Sequence, residues 1–338
     1  MINTLINRLA YAVSPANKRH RSHKAFIFVA FALPLMAFAI VSAIHMYGSL
    51  TELSLARRQA IALPTALALE QRVDRLVGVA NSFATHPQIR ELVQTGEWES
   101  TKETLQIFKL IIDDPFIDRI FLTNAEGTLM AGIPEMGTEG QNFAFRDWYQ
   151  GVLSTGKPYL SKAYRRTVEP QYNVVALAIP VVDEKNLMMA ILVLQIRLDH
   201  FLEWSKDIEI GEGGFVYMVD QAGQVVSHPH FAPQGQIADF SSVPAVQKLL
   251  QGQRGVEAAY NPVEHVNEVV AYEPVPKYGW GVVVQQPAET VFAARNKEMA
   301  NVGAMYSLLF LVNAFLVYLL LGAIAHYQNE HDTKRERM

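Results

Sequence analysis

The sequence reads Ile120-Phe-Leu-Thr-Asn-Ala-Glu-Gly127 at one point and, in close outline, Val216-Tyr-Met-Val-Asp-Gln-Ala-Gly223 at another. Each copy has the pattern of an apolar strand that runs into a polar turn closed by glycine, which is typical of a β-hairpin. A second match follows, because Val174-Val-Ala176 corresponds to Val269-Val-Ala271, and each leads to a proline and a final apolar strand. The sequence therefore predicts an α+β fold in two tandem copies.

The spacing of apolar residues predicts the elements around these matches. Helical spacing predicts short helices at 88–96, 100–113 and 144–154. Extended apolar patterns predict strands at 117–123, 128–131, 159–165, 171–181 and 187–197. The second copy is shorter and ends in a strand near 280–286. We therefore expect one module at 87–205 and a second at 206–290.

Two uncharged apolar stretches lie outside the repeat, at 25–46 and 302–325. A helix rises about 1.5 Å per residue, so about 20 apolar residues cross the hydrocarbon core of a bilayer. Each stretch therefore predicts a transmembrane helix. Basic residues favour the cytoplasmic side, and the segment 1–24 is basic while the chain as a whole has a net charge of -4. We expect a bacterial inner-membrane protein with cytoplasmic termini, 1–24 and 326–338, and a periplasmic or extracellular central domain.

Residues 49–86 have the apolar spacing of one long amphipathic helix that leaves the membrane. Pro64 is expected to bend or break this helix. Such a helix carries more apolar surface than one domain covers, so a second copy of the chain is the expected cover and a homodimer is predicted.

Several functional classes are excluded by composition and motif. The chain has no cysteine, so thiolate metal sites and cysteine nucleophiles are absent. It contains no G-x-S-x-G, H-E-x-x-H or nucleotide-binding motif. No enzymatic activity and no cofactor are therefore predicted. The acidic central segment argues against nucleic acid as a partner.

The stretch Phe145-Arg-Asp-Trp-Tyr149 resembles the R-x-W-Y ligand motif of the double Cache (dCache) sensor family. A long membrane-emerging helix and two PAS-like modules are similar to the same family, and the likeness covers roughly 50–300. The family provides the input domains of chemoreceptors, sensor kinases and diguanylate cyclases. The resemblance implies a small-molecule site in the first, membrane-distal module and a signal that passes down the helices.

Members of this family that bind amino acids carry further conserved types, and the chain departs from them. Gln141 stands where a tyrosine is expected, Ser161 where an acidic residue is expected, and Gln195 where an aspartate is expected. A ligand ammonium needs an anion to offset its desolvation. Arg146 can instead hold a carboxylate with two parallel hydrogen bonds. We therefore expect a small carboxylate or a neutral molecule as ligand, and not an α-amino acid.

The predicted ligand-binding residues are Arg146, Trp148, Tyr149, Tyr164, Tyr172, Gln195, Ser161 and Gln141. Trp148 and Tyr149 offer flat apolar faces and one polar group each. Strand alternation places only some of Tyr164, Arg165, Arg166 and Tyr172 in the pocket, and we favour the two tyrosines.

Simpler interpretations remain open for several of these residues. Arg146 could pair with Asp147 or another acid, and Trp148 and Tyr149 could be ordinary core residues. Asp147 itself is expected on an exposed helix face. His228-Pro-His230 is a weak metal motif, so a turn is expected there and no metal site is predicted.

Three functions from different classes compete. The first is a membrane-anchored sensor that binds a small ligand and signals through a cytoplasmic or membrane partner, or through an output domain outside this chain. The second is a scaffold that uses the same fold without a ligand. The third is a membrane-tethered enzyme, which the lack of a catalytic motif disfavours.

Overall fold

A computed structural model describes residues 20–232 and 234–336, with side chains described from residue 29 onward except 324–325 and 328–336. Residues 1–19 of the predicted basic tail, 1–24, therefore lie outside the described residues. The chain divides into two compact units, one made of Ser54–Val291 and the other of the two chain ends, Met1–Leu53 and Phe292–Met338.

A long helix with an apolar stretch lies toward each end of the described chain. Helix α1 is His20–Ala84 and the last helix of the chain is Ala288–Glu336. Each contains a stretch that is long and apolar enough to cross a membrane by length and composition. Helix α1 continues through Pro64, so of the two alternatives predicted there, a bend or a break, the break does not occur. Ala62, Ala66 and Leu69 are buried on the same helix, and their packing on both sides of Pro64 outweighs the single backbone hydrogen bond that the proline removes.

The distal module contains three helices and the first sheet. Helices α2, α3 and α4 are Pro87–Thr95, Trp98–Ile112 and Asp147–Thr155. Strands β1 to β6 are Ile117–Asn124, Leu129–Ile133, Tyr159–Leu160, Tyr164–Arg165, Asn173–Val182 and Met188–Arg197. They form an antiparallel sheet in the order β2-β1-β6-β5-β3, with β4 also paired to β5. The predicted strand 159–165 is thus two short strands.

The second module, called the proximal module below, repeats this plan with fewer strands. Helices α5 and α6 are Leu198–Lys206 and Pro244–Leu250, and the final helix, α7, is Ala288–Glu336. Strands β7 to β11 are Phe215–Val219, Val225–Ser227, Gly255–Asn261, Val266–Val275 and Trp280–Pro287. Their order is β8-β7-β11-β10-β9, which is the same path as in the distal sheet. The tandem α+β repeat is therefore confirmed.

The repeated turns have the same hydrogen bonds in both modules. The side-chain Oδ1 of Asn124 accepts the N–H of Thr128 at 2.8 Å, and that of Asp220 accepts the N–H of Gln224 at 3.0 Å. The glycine of each turn has a positive φ, 83° at Gly127 and 79° at Gly223, a conformation that other residues rarely adopt.

Each sheet has two covered faces. One face of both sheets packs on α1 and on further helices through alternate strand residues such as Ile120 and Val282. The opposite face of the distal sheet packs on Trp148, Tyr149 and Val152 of α4. The corresponding face of the proximal sheet packs on α6. Because both faces are buried, the central strands are apolar throughout rather than alternating.

Candidate functional site

A cavity lies on the face of the distal sheet that carries α4. Its enclosed free volume is about 30 Å³, room for one or two water molecules, so binding of a larger ligand requires its walls to move apart. Three of its lining side chains are arginines, and none is acidic. The lining residues are Arg119, Phe121, Leu129, Met136, Phe143, Arg146, Trp148, Tyr164, Arg166, Thr167, Val168 and Gln195.

Arg146 stands at the N-cap of α4 in an extended conformation, with φ −73° and ψ 146°. Its guanidinium lies over the ring of Tyr164 at 4.7 Å from the centroid and over that of Phe145 at 5.1 Å. Within the described residues, no acidic side chain lies in ion-pair distance of it. Aromatic faces hold an arginine in place without satisfying its five N–H donors, so the guanidinium is positioned for an anion.

Asp147 does not pair with Arg146. Its carboxylate accepts the backbone N–H of Lys162 at 2.8 Å and the hydroxyl of Tyr159 at 3.3 Å. These bonds fix the segment between β3 and β4 against α4. Asp147 was expected to be exposed, but it is partly buried, and it is not among the residues that line the cavity.

Trp148 and Tyr164 form the apolar and polar walls beside Arg146. Trp148 is 1% exposed and meets Phe121 edge to face at 5.7 Å. The hydroxyl of Tyr164 accepts a hydrogen bond from Nε2 of Gln195 at 3.0 Å. Burial raises the pKa of Tyr164, so the phenol keeps its proton and can donate it to a ligand.

Two further arginines face the cavity. Arg119 is 4% exposed, donates to Oγ1 of Thr138 at 3.1 Å, and lies 3.5 Å from Oε1 of Glu139. Its Nε is buried without a hydrogen-bond partner among the described residues, and burial lowers its pKa. Arg166 is also buried and forms an ion pair with Asp118.

The other four predicted site residues lie outside the cavity. The hydroxyl of Tyr149 donates to the carbonyl of Ala125 at 2.7 Å, so this residue anchors α4 to the β1–β2 turn. Tyr172 lies with its ring 3.8 Å from the guanidinium carbon of Arg197. Gln141 is exposed on a loop.

Ser161 is buried, yet its hydroxyl is occupied by the backbone. It accepts the N–H of Ala176 at 2.8 Å and donates to the carbonyl of Lys162 at 2.7 Å. These bonds belong to the interruption between β3 and β4, which explains why the predicted strand is divided. Ser161 therefore bonds the backbone and is not among the residues that line the cavity.

The proximal module has no arginine at the positions that match Arg119 and Arg146. The N–H of Arg146 donates to the carbonyl of Phe143, and that of Val243 donates to the carbonyl of Phe240, each at 2.9 Å. Val243 is thus the counterpart of Arg146. Arg119 pairs with Gln195 across β1 and β6, and Phe215 pairs with Gln285 across β7 and β11. A cationic cavity of this kind is consequently a property of the distal module.

Two tandem α+β modules lie between two apolar helices, and the first module has a cationic cavity. The chain belongs to the Cache domain family, since the double Cache (dCache_1) family model matches residues 49–295. It is a double Cache domain.

Known relatives agree with this assignment at low sequence identity. A probable methyl-accepting chemotaxis protein of Bacillus thuringiensis is 20% identical over 211 residues, 62% of this chain. The chain spans only 30% of the length of that relative.

Solved structures share the fold. The periplasmic sensory domain of the Campylobacter jejuni chemoreceptor Tlp1 superposes with a TM-score of 0.57 at 15% identity, covering 72% of this chain and 98% of that domain. The ligand-binding domain of the Pseudomonas fluorescens chemoreceptor CtaA, in complex with L-isoleucine, has a TM-score of 0.56 at 13% identity and covers 73% and 98%. At these identities the likeness shows the fold alone.

Proposed function

We propose that the chain is a membrane-anchored extracytoplasmic sensor that binds a small carboxylate in the distal module and has no enzymatic activity. The single observation that carries this proposal is the guanidinium of Arg146, which faces the cavity without an acidic partner among the described residues. Arg119 and Arg166 add positive charge to the same walls. A carboxylate would satisfy N–H donors that are otherwise poorly solvated.

An α-amino acid is a poorer fit, although the CtaA domain was solved with L-isoleucine. No lining residue carries a carboxylate, so a ligand ammonium would be desolvated without a counter-charge. Glu139 and Asp118 are close by, but each lies beside a cavity arginine. The amide and hydroxyl groups of Gln195 and Tyr164 suit the neutral part of a ligand.

The membrane arrangement follows from charge and from the two candidate spans. The basic segment 1–24 favours a cytoplasmic N-terminus by the positive-inside rule. With a span in each of α1 and α7, both termini are cytoplasmic and the Cache domain is periplasmic. This topology is that of a bacterial inner-membrane receptor.

Signal transfer requires a ligand that prefers one conformation of the domain over another. Helix α1 connects the distal module to the first span, and it exposes apolar side chains such as Leu63 and Leu67, 42% and 50% exposed. These residues support a homodimer in which two copies of α1 pack together. The signal then passes to a cytoplasmic or membrane partner.

Calorimetry of the full chain in detergent tests the proposal. The chain is titrated with small mono- and dicarboxylates and with amino acids, and the titration is repeated with Arg146→Met. A hydrogen bond to a charged group is worth about 1.5–3 kcal/mol, so the substitution should weaken carboxylate binding by about 10–100-fold. Arg165→Met is the matched control, because Arg165 is exposed on the same short strand as Tyr164. Tight amino-acid binding that survives Arg146→Met refutes the proposal.

A ligand-free scaffold is the second candidate function. Its support is the stacking of Arg146 on Tyr164 and Phe145, which gives the arginine a structural role without any ligand. Thermal unfolding of the full chain separates the two candidates, because a ligand that binds only the folded state raises the melting temperature. A scaffold would show no shift with any carboxylate in the panel and a lower melting temperature for Arg146→Met.

A further inference from the structure

The proximal module brings together two histidines and a glutamate that are distant in sequence. His228 and His230 follow strand β8, and Glu264 lies in the turn between β9 and β10. Oε1 of Glu264 is 3.0 Å from Nδ1 of His230 and 3.5 Å from Nε2 of His228. One ligand atom from each of the three residues lies within 4.8 Å of the others.

Several buried polar atoms around this cluster have no hydrogen-bond partner among the described residues. They are Nε2 of His228, the hydroxyl of Tyr217, Oε1 of Glu268 and Oε1 of Gln285. The His228 side chain is 0% exposed, so water from the surface does not satisfy it. Buried polar groups are normally bonded, and a concentration of unbonded ones around Glu264 indicates a missing partner.

The distances suit a small divalent metal ion. Zinc binds histidine nitrogen and carboxylate oxygen at about 2.0–2.2 Å in tetrahedral sites. Tetrahedral bonds of about 2.05 Å separate adjacent ligand atoms by about 3.3 Å, and the two measured separations, 3.0 Å and 3.5 Å, lie on either side of this value. Two imidazoles and one carboxylate are also a donor set that transition metals prefer over calcium or magnesium.

The surroundings orient Glu264 for such a role. Its Oε2 accepts hydrogen bonds from Nε2 of Gln285 at 2.6 Å and from Nδ2 of Asn261 at 3.3 Å. These bonds leave Oε1 directed to the histidines, as outer-shell partners do in metal sites.

The cluster and the distal cavity lie at corresponding positions of the two modules. Gln285 is the counterpart of Gln195, which lines the distal cavity, and Phe215 is the counterpart of Arg119. The ring of Phe215 lies 4.8 Å from the rings of both His228 and His230. The cluster therefore occupies, in the proximal module, the place that the anion cavity occupies in the distal one.

We propose that the proximal module contains a second, separate site. In this site His228, His230 and Glu264 bind a divalent transition-metal ion of the Zn²⁺ class. The fourth position is open to water or to an exogenous ligand. In the structure, Nδ1 of His228 accepts the N–H of His230 at 3.1 Å. Ligation of an ion by Nε2 would instead place the ring proton on Nδ1. Ion binding replaces this hydrogen bond, so the turn 228–230 changes conformation when the site is loaded.

Calorimetry of the full chain with ZnCl₂ tests the site. The protein is purified in detergent without a histidine tag and treated with a chelator beforehand. One Zn²⁺ per chain should bind, and His230→Ala or Glu264→Gln should each weaken binding by about tenfold or more, since even outer-shell changes cost about 10–100-fold. His200→Gln, which removes an imidazole from helix α5, should bind Zn²⁺ like the wild type.

His230 has a side chain that is 61% exposed, so His230→Ala is expected to fold even if Glu264→Gln does not. Visible absorption of the Co²⁺-loaded wild type gives a second readout, with the intense bands of a four-coordinate ion expected. Absence of Zn²⁺ binding, or equal binding by wild type and His230→Ala, overturns the proposal. Carboxylate binding in the distal module is measured separately, so the two proposals fail independently.

Discussion

Asp220 connects the proximal module to the wall of the distal cavity through a hydrogen bond. A substitution at this residue tests how much that hydrogen bond contributes. Its side chain is 0% exposed. Oδ1 accepts the N–H groups of Ala222 and Gln224 within its own turn, at 2.8 and 3.0 Å. Oδ2 accepts the N–H of Ala163 at 2.8 Å, and Ala163 directly precedes Tyr164 of the cavity.

The substitution Asp220→Asn removes one of these bonds selectively. Asn124 holds the equivalent distal turn through its own Oδ1, so asparagine is compatible with the turn and keeps both Oδ1 bonds. Its Nδ2 would then face the N–H of Ala163, and a buried donor without an acceptor costs about 1–3 kcal/mol. We predict a loss of this size in the free energy of unfolding, together with weaker carboxylate binding because the Tyr164 segment loosens.

The cost of this substitution should depend on pH. Burial raises the pKa of Asp220 above its ordinary value of 3.8. An acid whose folded-state pKa is raised contributes stability at low pH and loses that contribution as the pH rises through the folded-state pKa. The difference in stability between wild type and Asp220→Asn should therefore be smaller at pH 7 than at pH 4.

Urea unfolding of the full chain in detergent, followed by tryptophan fluorescence, measures these quantities. All four tryptophans, Trp98, Trp148, Trp204 and Trp280, lie within Ser54–Val291, so the signal reports on this unit alone. Asp183→Asn is the matched control, since Oδ1 of Asp183 also accepts two backbone N–H groups, but on the surface. It should change stability by less than about 0.5 kcal/mol. Equal stability and equal carboxylate binding of Asp220→Asn and wild type would refute the reasoning.

Three further substitutions test the packing and charge of the cavity. Gly151→Ala should destabilise the domain by about 1–3 kcal/mol in urea unfolding, because a Cβ there would collide with the ring of Tyr159; wild-type stability would contradict this. Arg119→Met should weaken carboxylate binding in calorimetry by about tenfold or more through the loss of a buried charge, and unchanged affinity would remove Arg119 from the site. Tyr164→Phe should leave stability within about 1.5 kcal/mol but alter ligand preference, because Gln195 loses its acceptor; an unchanged ligand profile would count against a role for the hydroxyl.

The repeat and its turns could be predicted from the sequence because they rest on local rules. A strand followed by Asn or Asp and a glycine with positive φ fixes a hairpin in either module. The bend or break expected at Pro64 rests on an equally local rule, and α1 continues through this residue without a break. Packing of Ala62 and Ala66 against the core decides that outcome, and the sequence pattern near Pro64 does not contain this information.

The cavity was only partly predictable for a related reason. Arg146 and Trp148 lie in a recognisable motif, Gln195 follows from a family position, and Tyr164 follows from strand alternation. Arg119 gives no such signal, because strand β1 is buried on both faces and its residues do not alternate in polarity.

Long-range contacts account for the remaining differences. Ser161 was predicted to face the ligand, but its hydroxyl bonds the backbone where Asp147 and Asp220 hold the segment between β3 and β4. The contact between His230 and Glu264 joins residues 34 positions apart, and neither residue is informative alone. Such pairings depend on the register of distant strands, which the local sequence does not specify.

The structure of the full chain with the tightest-binding carboxylate of the calorimetric panel is the most direct test of the central claim. The account predicts the ligand in the distal cavity, with its carboxylate oxygens in hydrogen-bond distance of the Arg146 guanidinium and its remainder against Trp148 and Tyr164. A ligand bound elsewhere, or one whose carboxylate points away from Arg146, would contradict it.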